Sequence, residues 1–286
     1  MIEATSVQDV LDDGISFLES AAVEEADIRA EWLLTFIIGV SRTQFRLQKN
    51  RTITENQSKR FSLWLQRCAD GEPVQYITGE TEFFGFPFEV SESVLIPRPE
   101  TERVVEIASE TATLSQACSV LEIGTGSGCI AISLAKMCPG LSITAIDVSP
   151  AAIRMASRNS KKNGAGGQIS FCQLDILNNE PESQYDMLIS NPPYVPLEEY
   201  TFLDETVKYF EPQTALTDGG DGLTFYRRLA KDGHKWLRPG GKIILEVGRN
   251  DHPDKAAELF RVGDWAQVEL FEDYNGDARV LKVQQA

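Results

Sequence analysis

Three short segments of the 286-residue chain hold residue types and spacings from which chemistry can be built. Gly124-Thr125-Gly126-Ser127-Gly128 follows the apolar run Val120-Leu121-Glu122-Ile123 and precedes the helical stretch Ile130 to Met137. A glycine-rich turn from strand to helix is where open α/β sheets admit ligands, because glycine takes positive φ and lets a ligand approach the backbone. The dinucleotide fingerprint would need Gly or Ala at 129, where the chain has Cys129, so a nicotinamide cofactor is disfavoured. Asp147 ends the next apolar run, 23 residues after Gly124, where a carboxylate can accept hydrogen bonds from a ribose diol. That suits any adenosine cofactor. The third segment, Asn191-Pro192-Pro193-Tyr194, ends the apolar run Tyr185 to Ser190. Asn-Pro often marks only a turn, and a glycine run only a tight connection. At the carboxyl end of a strand downstream of the loop, however, Asn191 would face the same crevice as Gly124 and Asp147.

Together these segments resemble the class I S-adenosylmethionine-dependent methyltransferases that act on planar amide or amino nitrogens. An amide nitrogen is a poor nucleophile, since its lone pair is delocalised into the carbonyl. The Asn191 side-chain oxygen and the Pro192 carbonyl can each accept one N–H of an NH₂ group, aiming its nitrogen at a sulfonium methyl and stabilising positive charge as it develops. Pro192 and Pro193 stiffen that array by fixing φ. Tyr194 offers a ring against which the planar group can lie, a contact of about 1 kcal/mol. The proton can leave to water after methylation, so neither a histidine base nor a metal is expected.

The elements that must position these residues follow from periodicity. From Val7 to about Cys68 apolar residues recur at helical spacing (Val10, Leu11, Ile15, Leu18; Ile28, Trp32, Leu33, Phe36, Ile37), which predicts a small helical bundle. Thr81 to Val90 is aromatic and β-prone, interrupted by Gly85 and Pro87, and reads as a short hairpin. Beyond Val104, apolar runs at Val120 to Ile123, Ile143 to Ile146, Ile169 to Cys172, Met187 to Ile189 and Ile243 to Val247 alternate with helical stretches. That pattern predicts a doubly wound, mostly parallel sheet. Gln267 to Phe271 and Arg279 to Val283 flank a turn-rich segment and predict an antiparallel pair at the sheet edge. The expected division is a helical domain at 1–75, a hairpin connector at 76–95 and an α/β domain at 96–286.

Composition narrows the function classes. With 27 Lys and Arg against 43 Asp and Glu, the net charge is −16, which disfavours general nucleic-acid binding. The longest apolar stretch, Trp32 to Val40, is about half of the roughly 20 residues a membrane helix needs. Acids near the N-terminus (Glu3, Asp9, Asp12, Asp13) stand where a targeting leader would carry basic residues, so a cytoplasmic location is expected. The five cysteines form no Cys-x-x-Cys pair, and His234 and His252, remote from them in sequence, are expected at the surface. No metal site is expected.

Further segments sharpen the resemblance. Gly71-Glu72-Pro73-Val74-Gln75-Tyr76-Ile77-Thr78-Gly79, Leu95-Ile96-Pro97-Arg98-Pro99-Glu100-Thr101-Glu102, Phe210-Glu211-Pro212, Ala215-Leu216, Asp221-Gly222-Leu223 and Asp273-Tyr274 are similar to the signatures of the PrmC (HemK) family of release factor glutamine N5-methyltransferases. The resemblance runs from about Gly71 to the C-terminus, and the helical N-terminal region agrees in length and type. It implies that class-1 peptide chain release factors are the protein substrate. The acceptor is the glutamine of their Gly-Gly-Gln loop, and S-adenosylhomocysteine is the second product. It also implies that Gly124, Thr125, Gly126, Ser127 and Gly128 pass the methionine part of the cofactor, that Asp147 binds its ribose and that Asp175 addresses the adenine amino group. Ile176 stands where the family often has an aromatic residue, so aliphatic packing on the adenine replaces stacking. Glu122 orients the glycine loop from beneath, and Asn191, Pro192, Pro193 and Tyr194 form the acceptor site, with Asn191 also among the cofactor-binding residues. Thr101 or its neighbouring acids are available to cap a helix, and Leu95 to Glu102 and Phe210 to Pro212 would wall the substrate slot. A locally basic stretch (Arg42, Arg46, Lys49, Arg51, Lys59, Arg60, Arg67) is either a docking face for the release factor or a solvated helix face. A monomer is expected. The alternatives are a glutamine methyltransferase of a ribosomal protein, a DNA or RNA base amino-methyltransferase, a nicotinamide oxidoreductase and a non-enzymatic adaptor.

Overall fold

The computed structural model describes residues 6–286; Glu3 and the side chain of Arg42 lie outside the described residues. The chain forms two compact units, Met1–Gly79 and Glu80–Ala286. In the first, α1 (Val7–Ser20), α2 (Ala26–Ile38), α3 (Arg42–Phe45), α4 (Glu55–Ala69) and α5 (Val74–Thr78) surround a core that includes Leu18, Leu33, Leu34 and Phe61. Local chemistry sets their starts. The Ser6 hydroxyl accepts the Asp9 N–H while the Asp9 carboxylate accepts the Ser6 N–H, and Thr54 and Gln57 repeat this reciprocal cap on α4. Gly14 lets α1 lie close to α4, since a Cβ there would stand 2.7 Å from the Phe61 ring.

The second unit opens with a hairpin of β1 (Glu80–Phe83) and β2 (Phe86–Glu89), followed by α6 (Pro99–Ser115). The expected connector 76–95 is thus divided: α5 completes the helical unit, and the hairpin belongs to the α/β unit. The reason is burial. Phe83 and Phe88 are fully enclosed in the α/β core, and a free-standing two-stranded ribbon would expose both.

The main sheet is built from β3 (Ser119–Ile123), α7 (Cys129–Met137), β4 (Ser142–Asp147), α8 (Pro150–Lys162), β5 (Ile169–Gln173) and β6 (Tyr185–Ser190). Short helices α9 (Leu197–Tyr200), α10 (Glu205–Phe210) and α11 (Gln213–Leu216) follow. The chain then runs through α12 (Thr224–Trp236), β7 (Leu237–Glu246), α13 (His252–Arg261), β8 (Trp265–Glu272) and β9 (Ala278–Gln285). The seven strands lie in the order β5-β4-β3-β6-β7-β9-β8, parallel as far as β7, with β9 antiparallel to both β7 and β8. The C-terminal pair therefore closes one edge with β8 outermost. Successive β3 residues enter opposite cores: Val120 joins the cluster of α6 and α7, and Leu121 that of α12 and α13. Burial on both faces explains why the central strands read as unbroken apolar runs.

This order reverses direction between β3 and β6. Chain leaving β3 crosses to β4 on one side, and β6 pairs on the other, so the carboxyl ends of these two strands flank a crevice. Their register pairs Ile123 with Ser190 and so brings Gly124 level with Asn191.

Candidate active site

The glycine loop leaves β3 with Gly124, Gly126 and Gly128 all at positive φ (74°, 56° and 84°). At Gly128 space is also decisive, because a Cβ would meet Ala156 of α8 at 3.1 Å. Below the loop, Glu122 accepts the Thr125 hydroxyl at 2.5 Å and the Ala131 N–H at 3.3 Å, joining the loop to the first turn of α7. Burial pushes the Glu122 carboxyl up to about 8 against the pull of those two donors. Burial likewise pushes the Cys129 thiol up to about 12, which removes it as a nucleophile. The buried Asn159 of α8 fastens the loop from the side, donating to the Ser127 and Glu89 carbonyls at 2.9 Å each and accepting the Glu89 N–H at 2.7 Å. Asn159 carries no sequence signal beyond being polar on an apolar helix face.

Asp147, at the end of β4, accepts the Gly126 N–H on one oxygen and the Ser149 N–H on the other, both at 2.9 Å. Each oxygen keeps a further acceptor site, the chemistry a vicinal diol requires. Burial raises the Asp147 carboxyl, and the backbone N–H groups of Ser149 and Gly126 oppose that shift. Asp175 after β5 closes its own turn, accepting the Leu177 N–H at 3.0 Å and the Asn178 side-chain amide at 2.7 Å. Ile176 beside it is buried.

One cavity of about 480 Å³ is lined by Gly124, Thr125, Gly126, Ser127, Asp147, Asp175, Ile176, Asn191, Pro192 and Pro193. Ten of the residues singled out from sequence are therefore brought together. Glu122, Gly128 and Tyr194 are not on that wall. Glu122 and Gly128 act from beneath and behind the loop. Tyr194 instead lines a neighbouring cavity of about 400 Å³, with its ring 5.8 Å from that of His252 and its hydroxyl donating to Glu246 at 3.2 Å. The buried Glu246 carboxylate draws the phenol inward, and burial raises the phenol's pKa.

Asn191 donates its side-chain amide to the Thr101 hydroxyl at 3.1 Å, and Thr101 donates to Glu246 at 2.6 Å. Among the described residues nothing donates to Asn191 Oδ1 or to the Pro192 carbonyl, which leaves both acceptors available. Burial pushes Glu246 up to about 7, with Thr101, Arg279 and Tyr194 pulling it back. Thr101 is not a helix cap: α6 begins after Arg98 with proline in its first turn and no side-chain cap. The walls expected at Leu95 to Glu102 and Phe210 to Pro212 are tied together, since buried Glu211 pairs with Arg98 and accepts the Ile96 N–H at 3.3 Å. His252, expected at the surface, is buried: its Nδ1 accepts the Gly248 N–H, its Nε2 faces the Gly222 carbonyl at 3.1 Å, and its ring meets Tyr226 edge-on. Glu246 escaped the sequence reading, although an acid ending an apolar strand beside the acceptor strand was a usable signal.

Residues 9–79 match the PrmC N-terminal domain, and residues 106–224 match the methyltransferase small domain. A release factor glutamine methyltransferase of Koribacter versatilis is 38% identical over 277 residues, covering 96% of this chain and 97% of its own. The chain belongs to the release factor glutamine methyltransferase family. Members so named in Chlorobaculum tepidum (38% identical, 94% of each chain) and Bacillus subtilis (37%, 93% of each) are similar over the same extent. More distant solved structures share the fold. The hMettl16 catalytic domain superposes with TM-score 0.57 at 17% identity over 80% of this chain and 82% of that one. A Pyrococcus furiosus methyltransferase gives 0.51 at 18% over 82% and 100%. Among the described residues no helix is long and apolar enough to cross a membrane.

Proposed function

We infer that this protein transfers a methyl group from S-adenosylmethionine to the side-chain amide nitrogen, N5, of the glutamine in the Gly-Gly-Gln loop of class-1 release factors. The observation that carries this reading is the shared cavity. In a chain of this family, the free Asn191 oxygen and Pro192 carbonyl stand beside a glycine loop and a diol-accepting carboxylate. The residues suit the cofactor, because a Cβ on Gly124 would lie 4.0 Å from the Asn191 carbonyl, so the loop backbone adjoins the acceptor segment.

When bound, S-adenosylmethionine supplies an electrophilic methyl on sulfur. Asp147 accepts the ribose hydroxyls, Asp175 addresses the adenine amino group, and buried Ile176 supplies the aliphatic surface against the base. Gly124 to Gly128 present backbone rather than side chains to the methionine part. Asn191 Oδ1 and the Pro192 carbonyl would take the two N–H bonds of the acceptor amide, orienting its nitrogen and countering the charge that grows there. Transfer would leave the donor as its thioether, S-adenosylhomocysteine, and the surplus proton of the methylated amide would pass to water. The helical unit docks the release factor. The lining of the cavity comes from this chain, in keeping with action as a monomer, and a release factor substrate is in keeping with a cytoplasmic activity.

Labelled methyl transfer tests the reading, with purified release factor, its Gln→Ala loop variant, ribosomes and DNA as acceptors. Label on the intact loop alone is expected. Label on a ribosomal protein or on nucleic acid would replace the proposed acceptor, and a chain that labels nothing would be an adaptor.

A further inference from the structure

Asn191 can serve as an acceptor only with its oxygen toward the substrate, yet a primary amide is nearly symmetric in shape and can bind either way round. Something in the fold must choose. Thr101 and Glu246 are both buried, at 2% and 1% exposure, at the ends of α6 and β7. A hydroxyl carries one proton. While Glu246 is ionised, the Thr101 proton is committed to its Oε2 at 2.6 Å, so Thr101 Oγ1 is left as an acceptor, and Asn191 Nδ2 lies 3.1 Å away. The opposite amide orientation would set two oxygens against each other beside the buried Thr101 and Glu246. The second carboxylate oxygen, Glu246 Oε1, is also an acceptor, for the Tyr194 hydroxyl at 3.2 Å, so donors meet both oxygens. The Tyr226 hydroxyl donates to the Glu246 carbonyl at 2.6 Å and holds that end of β7 in place.

We propose that Thr101 and Glu246 are positioning residues, a two-step relay that locks the Asn191 side-chain amide with its oxygen presented to the acceptor nitrogen. The relay rests on the methyl-transfer reading for its consequence but not for its geometry. It also explains why Tyr194 is turned to Glu246: the tyrosine holds the carboxylate that directs Thr101.

Two measurements test it on the full chain. In the first, the Asn191 side-chain NH₂ resonances of ¹⁵N-labelled protein, assigned by their loss in Asn191→Ala, should show cross-relaxation to the Thr101 methyl, and Thr101→Val should shift them. Absence of that contact, or resonances indifferent to Thr101→Val, overturns the relay whatever the protein methylates. In the second, Thr101→Val should lower kcat about a hundredfold, the scale of a misplaced reacting group, with S-adenosylmethionine affinity within about twofold of the parent. Thr101→Ser should recover most of the loss. In an Asn191→Ala background, Thr101→Val should cause no further loss. An equal loss in that background shows independent action and removes the relay, as does full activity in Thr101→Val. A parent chain that leaves release factor unlabelled defeats the functional reading instead, and the resonance measurement still decides the relay.

Discussion

Asn191 and Asp147 line one cavity but serve different partners, and substitution separates them. Asn191→Ala removes an acceptor used by the reacting nitrogen, so kcat should fall about a hundredfold or more while donor affinity holds. Asp147→Ala should do the reverse, weakening S-adenosylmethionine binding about tenfold or more. Calorimetry against single-turnover rates distinguishes the two, and an Asn191→Ala variant of parental rate would remove the acceptor clamp. Glu122 behaves differently, because it touches neither ligand. Burial lifts its pKa from 4.5 to about 8, so the folded chain holds a proton there over a range in which the unfolded chain has lost it. Its contribution to stability is fully present below about 4.5 and is lost as pH rises through about 8. Glu122→Gln should flatten the fall in Tm between about pH 5 and pH 9, measured by differential scanning calorimetry; an unaltered slope assigns the effect to other groups.

At the scale of elements, the site depends on loops being able to touch. The segment before α12 passes so near the acceptor motif that a Cβ on Gly222 would stand 2.2 Å from the Tyr194 carbonyl, and Gly222 has φ of +79°. Gly222→Ala should therefore cost about 2–5 kcal/mol, combining left-handed strain with overpacking. It should also lower kcat more than it weakens donor binding, because the displaced backbone carries Asn191 to Tyr194. Chemical denaturation and steady-state kinetics measure both, and a variant of parental stability would show that the loop relaxes freely. The hairpin illustrates a boundary that periodicity could not draw. Aromatic alternation identifies two strands, but only the burial of Phe83 and Phe88 tells which unit claims them.

For the molecule as a whole, the distribution of charge governs encounter with a protein substrate. The chain carries −16, yet Arg46, Lys49, Arg51 and Arg60 are exposed on the helical unit. The basic stretch is less free than its sequence suggests, since Arg67 pairs with Glu72, Lys59 with Glu55, and Arg60 lies over the Trp64 ring at 4.3 Å. If the helical unit docks the release factor through the remainder, reversing Arg46, Lys49 and Arg51 to Glu together should raise KM for release factor about tenfold at low salt. The difference should narrow as ionic strength shortens the screening length, with donor affinity unchanged. A KM indifferent to all three places docking elsewhere.

The sequence by itself determined the fold class, the family and ten of the residues that line the cavity. Strand periodicity with glycine and proline punctuation is local, and ligands bind where such strands end. It could not determine the β3–β6 adjacency that sets Asn191 level with Gly124, nor the hydrogen bond from Tyr194 to Glu246, nor the burial of His252. Those are decided by packing between segments far apart in the chain. Thr101 and Asn191 are 90 residues apart, and Thr101 and Glu246 145 apart, so no local pattern records that one hydroxyl proton directs the amide between them.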